Sequence, residues 1–182
     1  SALIDSNGCF RLNVPLPQEG FYLLGTEQGV MHPFYLKGNE TIRLRFQTNG
    51  MILEGEQTPE NQALSQWEQA ATLVREHAFL YERFGGGYST DPATFTQELE
   101  DLLRVRQQLK PEKATGNATF NSLLKAKMEA DVDFYALAYL QRNAGNLSDT
   151  IRLSNYYQKM QPEKTLQQPA LLQLPYAGEM LR

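Results

Sequence analysis

The chain has 182 residues, of which 41% are hydrophobic and 21% charged, values that suit one substantial globular domain or two small ones. Its net charge of −4 argues against the basic surface that nucleic-acid binding requires, and no apolar run approaches the ~20 residues of a membrane-spanning helix. The single cysteine, Cys9, excludes an internal disulfide and a Cys-x-x-Cys redox pair within the chain.

The first part of the chain shows the two-residue period of β-strands. Asn7-Gly8 predicts a hairpin with both turn residues at positive φ, joining Ala2–Ile4 to Cys9–Val14. Because Ala2–Ile4 is too short to pair fully, we expect one or two further strands before it in the parent protein. Four more strands are predicted, at Phe21–Leu24, Phe34–Leu36, Thr41–Phe46 and Met51–Leu53, with turns at Lys37–Glu40 and Asn49-Gly50.

Two of these strands carry expectations about burial. Phe21–Leu24 is continuously apolar, which predicts burial on both faces. Thr41–Phe46 alternates, which predicts that Ile42, Leu44 and Phe46 face inward. Since strands joined by hairpins run antiparallel, we expect an antiparallel β-sheet or a partial β-sandwich.

The period of the apolar residues changes at Gly55–Asn61. Thr58 is a suitable N-cap and Pro59 suits the first helical position, where its missing N–H costs nothing. A stripe of apolar residues then predicts a helix that ends near Phe84 and is stopped by Gly85–Gly87: Leu64, Trp67, Ala71, Val74, Ala78 and Tyr81.

Further helices are predicted downstream. Asp91-Pro92 caps a second helix, whose buried side comprises Phe95, Leu99, Leu102, Leu103 and Leu109. A third runs from Thr119 to Arg142, with Phe120, Leu124, Phe134, Leu137 and Ala138 buried. A fourth begins at Ser148 and ends near Met160, and a short apolar segment follows at Pro169–Leu181. The predicted fold is therefore α+β, with a β module at 1–57 and a helical segment of four to five helices at 58–182.

Few side chains indicate chemistry. Gly85–Gly87 follows a helix, whereas a phosphate-binding loop precedes one, so it is interpreted as a helix stop. Cys9 is interpreted as a small strand residue. His77 has no partner at zinc-binding spacing in its helix, and His32 is placed in a loop before Pro33. The sequence predicts no catalytic residue, no cofactor and no metal.

Glu129, Asp131 and Asp133 form an acidic cluster in the third predicted helix. Paired carboxylates perform acid–base catalysis in many hydrolases, so a hydrolase using Glu129, Asp131 or His77 is one hypothesis. The favoured interpretation is a solvated helix face, because charged side chains are mostly exposed. Asp131 lies nearest the apolar side, and a hydrogen bond from it to another helix is the alternative.

Tyrosines offer possible interaction residues, and Tyr88, Tyr156 and Tyr157 are the candidates. Tyr88 follows the glycine run, whereas Tyr156 and Tyr157 belong to the fourth predicted helix, and most other aromatic residues fall on core stripes. Three positions match the N-glycosylation pattern: Asn39, Asn117 and Asn146.

Several segments resemble the N-terminal region of Bacteroidetes TlpA-like thiol-disulfide oxidoreductases: Gly20–Leu23 (GFYL), Phe34–Leu44 (FYLKGNETIRL), Gly55–Asn61 (GEQTPEN), Phe120–Leu123 (FNSL) and Glu129–Leu137 (EADVDFYAL). In that family an N-terminal β-sandwich and a helical segment precede a thioredoxin-like domain that carries the catalytic Cys-x-x-Cys. This chain has no such motif, so no catalytic residue is carried over.

The resemblance implies a non-catalytic accessory region of an exported, periplasmic or cell-envelope redox protein. Its expected partners are the C-terminal thioredoxin-like domain of the parent chain and, further, substrate proteins or a second copy in a homodimer. The alternative from another class is a cell-envelope β-sandwich module that binds a glycan or peptide and has no redox role.

Overall fold

A computed structural model describes residues 2–25, 31–47, 50–83, 91–110, 113, 115–143, 160, 164–165, 167–169, 172 and 174. Its strands and long helices are, in chain order, β1 Gly20–Gly25, β2 Met31–Leu36, β3 Arg43–Gln47, β4 Gly50–Glu54, α1 Pro59–Arg83, α2 Pro92–Gln108 and α3 Ala118–Asn143. Strands therefore precede helices, and the prediction of a mixed α+β chain is confirmed.

The strands pair as two separate antiparallel hairpins. In the first, Gly20 of β1 pairs with Leu36 of β2. In the second, Arg43 of β3 pairs with Glu54 of β4. The antiparallel prediction is confirmed, but the described strands form two two-stranded sheets instead of one sheet, and they show no sandwich.

The predicted strands at Ala2–Ile4 and Cys9–Val14 are wrong, since neither segment is a strand in the structure. The turn between them does form, since Gly8 N–H donates to Asp5 O over 3.0 Å and Asp5 N–H donates to Cys9 O over 2.8 Å. Gly8 alone of the two predicted turn residues has a positive φ, 76°, so the turn is not the expected type. No described segment pairs with Cys9–Val14, and without a partner strand it stays irregular, with Val14 49% exposed.

Two predictions of strand burial are also wrong. Leu23 is 40% exposed, so β1 is not buried on both faces, and Phe46 is 42% exposed where it was expected inward. The helices contact the β1–β2 hairpin at Phe21 and Tyr35, and Leu23 lies two residues further along β1. They leave much of the β3–β4 hairpin uncovered, which explains the exposure of Phe46.

Helix α1 begins at Pro59 as predicted. Thr58 caps it, because the Thr58 hydroxyl accepts from Asn61 N–H over 3.3 Å and the Thr58 carbonyl accepts from Gln62 N–H over 3.0 Å. The described members of its predicted stripe are all buried: Leu64, Trp67, Ala71, Val74 and Ala78.

Helix α2 also follows its prediction. The Asp91 carboxylate accepts from Ala93 N–H over 3.0 Å and from Thr94 N–H over 3.1 Å, as an N-cap does. Of the five residues predicted to be buried, Phe95, Leu99 and Leu102 are buried, whereas Leu103 and Leu109 are half-buried. Phe95 stacks on Tyr139 of α3 with ring centroids 3.8 Å apart.

Helix α3 is more deeply buried than a single apolar stripe predicts. It packs against both other helices and against β1, so buried residues occur on most of its circumference, including Lys127 and Asp131. Of the residues predicted to be buried, Phe120 and Leu124 are buried and Phe134 and Ala138 are half-buried, whereas Leu137 is 36% exposed.

The structure describes three long helices where four to five were predicted. The predicted fourth helix, apart from Met160, and most of 169–181 lie outside the described residues. Elements change type between Glu54 and Pro59, whereas the division into modules at 57 stays a prediction. Among the described residues, no helix has the length and hydropathy required to cross a membrane.

Candidate functional site

Asn61, at the start of α1, joins the helices to the first hairpin. Its side-chain oxygen accepts from the backbone N–H of Tyr35 over 2.9 Å, and its amide group donates to the carbonyl of Tyr35 over 2.8 Å. The Asn61 side chain thus makes the two hydrogen bonds to Tyr35 that the backbone of a strand next to β2 would make. Because Asn61 is only 3% exposed, these bonds satisfy backbone groups that water does not reach.

A polar cluster surrounds this joint. The Tyr35 hydroxyl donates to Glu19 over 2.8 Å, and the Asn117 amide lies 3.3 Å from the same Glu19 oxygen and 3.4 Å from Glu60. The Asn117 side-chain oxygen meanwhile caps α3 by accepting from Phe120 N–H over 3.0 Å. One asparagine therefore ties the start of α3 to both the hairpin and α1. Glu19, Tyr35, Lys37, Glu60, Asn61 and Asn117 are called the seam below.

Glu60 is the buried carboxylate of the seam, 2% exposed, and it pairs with Lys37 over 3.0 Å. Burial alone would raise the pKa of Glu60, but hydrogen bonds from its own backbone and from Lys37 outweigh burial and hold the pKa below its ordinary value. The hydrogen bond with Glu60 raises the pKa of Lys37. At neutral pH both groups are charged, and the pair contributes to the attachment of β2 to α1.

Three aromatic rings form the apolar side of the seam. Tyr35 meets Phe120 edge-on with centroids 4.8 Å apart, and Phe21 lies 5.9 Å from Tyr35 and 6.3 Å from Phe120. Edge-to-face pairs in this range are favourable. The seam is therefore a packed joint with a polar edge.

A second cluster of charged side chains lies between helices α1 and α3. Lys127 Nζ is 2.8 Å from Asp131 Oδ2 and 2.9 Å from Glu68 Oε1, while Glu68 Oε2 is 2.7 Å from Arg75. Trp67 Nε1–H donates to Asp131 Oδ2 over 2.6 Å. These five residues, called the core ion cluster below, connect α1 to α3. Two carboxylates and two cations balance one another, with Lys127 and Asp131 buried and the Arg75 side chain 39% exposed.

Burial and ion pairing shift the pKa values of the core ion cluster in opposite directions. At Asp131 burial prevails and raises the pKa, although Lys127 and the Trp67 N–H oppose the shift. Burial would also raise the pKa of Glu68, but Lys127 and Arg75 outweigh it and lower the pKa. Glu68 is thus the more firmly ionised of the two carboxylates.

The structure separates the acidic residues predicted as one cluster. Asp131 is 0% exposed, so the solvated interpretation is wrong for it, and the alternative of a hydrogen bond to another helix is confirmed. Glu129 and Asp133 are half-buried and share a face, where they bond to Gln168 and Thr165. A hydrolase using Asp131 is not supported, because a substrate cannot reach its carboxylate.

The two histidines have structural contacts. His77 Nδ1 lies 2.7 Å from Glu98, which joins α1 to α2. His32 lies within β2 and not in the predicted loop, and its ring centroid is 5.6 Å from that of Phe46. Burial lowers the pKa of His32, so it is neutral at pH 7.

Several of the other predicted candidates lie outside the residues that the structure describes: Tyr88, Tyr156, Tyr157, Asn146 and Gly85–Gly87.

Cys9 is an exposed free thiol beside the first turn, not a residue of a paired strand. Of the described glycosylation matches, Asn39 is exposed with φ 57°, whereas the amide of Asn117 is already engaged in the seam.

Large apolar side chains are exposed on both hairpins. Leu23 and Met31 of the first are 40% and 53% exposed, and Phe46 and Ile52 of the second are both 42% exposed. These four are called the exposed hairpin residues below. Leu23 and Met31 share one face of the first hairpin, whereas the register places Phe46 and Ile52 on opposite faces of the second. Exposed large apolar side chains of this kind are candidates for contact with another polypeptide. Of these four, Leu23 and Phe46 were predicted to be buried, because the sequence does not say which strand faces the helices cover.

Within the described part of the chain, no group of three or more His, Cys, Asp or Glu residues could hold a metal ion. A cavity of about 30 Å³ lies between the β3–β4 hairpin and the start of α1, with Thr41, Leu53 and Asn61 in its lining. That volume suits a water molecule and no larger ligand. No protein-family model, curated protein or solved structure matches this chain.

Proposed function

We propose that this chain is a non-catalytic accessory and interaction region of an exported, periplasmic or cell-envelope thiol-disulfide oxidoreductase. Its thioredoxin-like domain would lie elsewhere in the parent polypeptide. The resemblance of Gly20–Leu23, Phe34–Leu44 and Gly55–Asn61 to that family motivates the assignment.

The observation that carries the proposal is the exposure of large apolar side chains on both hairpins. Met31 and Phe46, 53% and 42% exposed, have a chemistry suited to contact with another polypeptide. Oxidised, incompletely folded proteins expose apolar side chains of their own. The exposed hairpin residues would hold such a substrate protein near the redox domain.

The charged groups of the chain fit an accessory role better than a catalytic one. The Asp131 carboxylate is buried and bonded between helices, and His77 pairs with Glu98. Dithiol exchange needs two cysteines, and this chain has one.

The proposal predicts two facts about the parent protein. Its open reading frame should encode a Cys-x-x-Cys in a βαβ context outside this chain, and the isolated chain should show no reduction of insulin by dithiothreitol above the uncatalysed rate. A parent without that motif, or an isolated chain that reduces insulin, would contradict the proposal.

A further inference from the structure

An amine and a carboxyl group face each other inside α3. Lys127 Nζ lies 2.8 Å from Asp131 Oδ2 and 3.2 Å from Asp131 Oδ1. The two residues are one helical turn apart, where side chains of the same face meet. Lys127 is 2% exposed and Asp131 0% exposed, so bulk water is excluded from the pair.

Two groups of α1 complete a reactive arrangement around this pair. Glu68 Oε1 lies 2.9 Å from Lys127 Nζ, close enough to accept and return a proton. Trp67 Nε1–H points at Asp131 Oδ2 from 2.6 Å, the position of a donor that stabilises a developing oxyanion. An amine, a carboxyl, a proton carrier and an oxyanion donor are the parts that amide formation requires.

We propose that Lys127 and Asp131 condense into an intramolecular amide, a covalent bond between side chains one turn apart in α3. The reaction is autocatalytic and needs no oxidant, reductant or cofactor. This inference is independent of the proposed function, since it rests on the interior of the helical part and not on the exposed hairpin residues.

In the proposed condensation, the amine of Lys127 replaces one oxygen of the Asp131 carboxyl. The Lys127 amine attacks Cγ of the protonated Asp131 carboxyl, and the negative charge that develops on Oδ2 is held by the Trp67 N–H. Glu68 takes a proton from Nζ and delivers it to Oδ1, which leaves as water. One C–N bond forms, one C–O bond breaks, one water is released, and no atom changes oxidation state.

The protonation states determine how fast this reaction goes. Burial would lower the pKa of Lys127, but the Asp131 and Glu68 carboxylates outweigh it and raise the pKa. The resting pair is therefore ionic, while the raised pKa of Asp131 makes the neutral carboxyl accessible. Arg75 and Tyr135 also face the group, and Arg75 keeps the Glu68 carboxylate ionised. Because the neutral amine and acid are the minor form, we expect the amide to accumulate slowly after folding.

The amide product is compatible with the buried residues around it. An amide replaces an ammonium and a carboxylate, so two buried charges with a large desolvation cost disappear. The Trp67 N–H still has a carbonyl oxygen as acceptor, and Glu68 retains Arg75. Side chains at this spacing in a helix are near enough to be joined without breaking the helix.

Intact-mass spectrometry of the denatured wild-type chain tests the proposal directly. The expected result is a species lighter than the sequence mass by one water, which increases with time after folding and resists reduction. A tryptic digest should then lack cleavage after Lys127 and contain the single peptide 126–142, lighter than its sequence mass by one water. A chain that keeps its full sequence mass after prolonged incubation in the folded state would overturn the proposal.

Variants identify the residues responsible. Lys127→Arg cannot form the bond and should keep its full mass, and Glu68→Gln should slow the loss of mass at least tenfold. Asp131→Asn would lose ammonia instead of water, a mass change that other dehydrations do not produce. Lys125→Arg is the matched control, since Lys125 is an exposed lysine of the same helix and its substitution should leave the loss of water unchanged. Loss of water from Lys127→Arg, or an equal effect of Lys125→Arg, would contradict the assignment.

Discussion

Asn61 and Tyr35 show how one side chain can hold two parts of a chain together. Asn61 offers its oxygen and its amide to the two backbone groups of Tyr35, at distances of 2.9 and 2.8 Å. Its sequence neighbours indicate only a helix start. The amide could not be assigned a structural role from the sequence, because its partner lies 26 residues earlier and on another element.

Replacing Asn61 with Ala should therefore destabilise the protein more than an ordinary surface change. It leaves the N–H and C=O of Tyr35 buried without partners, and we expect a loss of about 2–4 kcal/mol in the free energy of unfolding. Urea denaturation measures this loss. Gln62→Ala is the matched control, an exposed position next in the same helix, and should cost less than ~1 kcal/mol. Equal losses for the two variants would contradict the role given to Asn61.

Glu60 provides a prediction of pH dependence. Its pKa in the folded state is lowered from an ordinary value of 4.5. A lowered carboxyl pKa stabilises the fold above that value, and the stability is lost as pH falls through the lower, folded-state pKa. Because Lys37 is 40% exposed and solvent screens the pair, we expect a contribution of about 1 kcal/mol.

Unfolding free energies measured between pH 7 and pH 3 would test this contribution. Glu60→Gln should lower stability at pH 7 and reduce the decline on acidification, whereas Glu56→Gln, an exposed neighbour, should leave the pH profile unchanged. A Glu60→Gln profile parallel to that of the wild type would show that the seam carboxylate does not contribute in this way.

At the scale of elements, helices were predicted better than strands. Thr58-Pro59 and Asp91-Pro92 carry their capping information locally, and an apolar stripe defines one buried face of α1 and of α2. A strand depends on a partner that the local sequence does not specify. Cys9–Val14 has suitable alternation and a preceding turn, yet no described segment pairs with it.

Helix α3 shows where the spacing of apolar residues fails to predict which side chains are buried. Asp131 was assigned to the solvated side by residue type, but its ion pair with Lys127, which also pairs with Glu68 of α1, allows both residues to be buried. The core ion cluster could not be predicted because Glu68 and Asp131 are 63 positions apart, and no local pattern relates them.

Two leucines of α3 give a prediction about which side of this helix is packed. Leu124 is 0% exposed and Leu137 is 36% exposed, although the stripe assigned both to the core. Leu124→Ala should lower the free energy of unfolding by about 3 kcal/mol through lost burial and a cavity, and Leu137→Ala by less than ~1 kcal/mol. Chemical denaturation of the two variants compares them. Similar values would mean that α3 is not packed on the side that faces α1 and α2.

For the molecule as a whole, the seam attaches one hairpin to the helices and leaves apolar groups of both hairpins exposed. The joint is built from Asn61, Glu60 and Asn117, with three aromatic rings beneath them. Under the proposed function, the first hairpin, held on the helices by the seam, would present its exposed apolar side chains to a substrate protein. The α+β class was predictable, whereas the face left exposed depends on tertiary packing.

The role of the exposed hairpin residues is tested most directly by comparing two substrates of the full-length parent protein. Met31→Asp with Phe46→Asp should slow reduction of a protein disulfide, such as that of insulin, by about fivefold or more, since an interface contact is worth ~1 kcal/mol or more. Reduction of a small disulfide that needs no docking surface should be unchanged.

Leu73→Asp on α1, at a side chain 49% exposed, is the matched control and should affect neither rate. The proposed function predicts a selective loss for the protein substrate in the hairpin variant alone. Unchanged rates, an equal loss for both substrates, or the same selective loss in Leu73→Asp would contradict it.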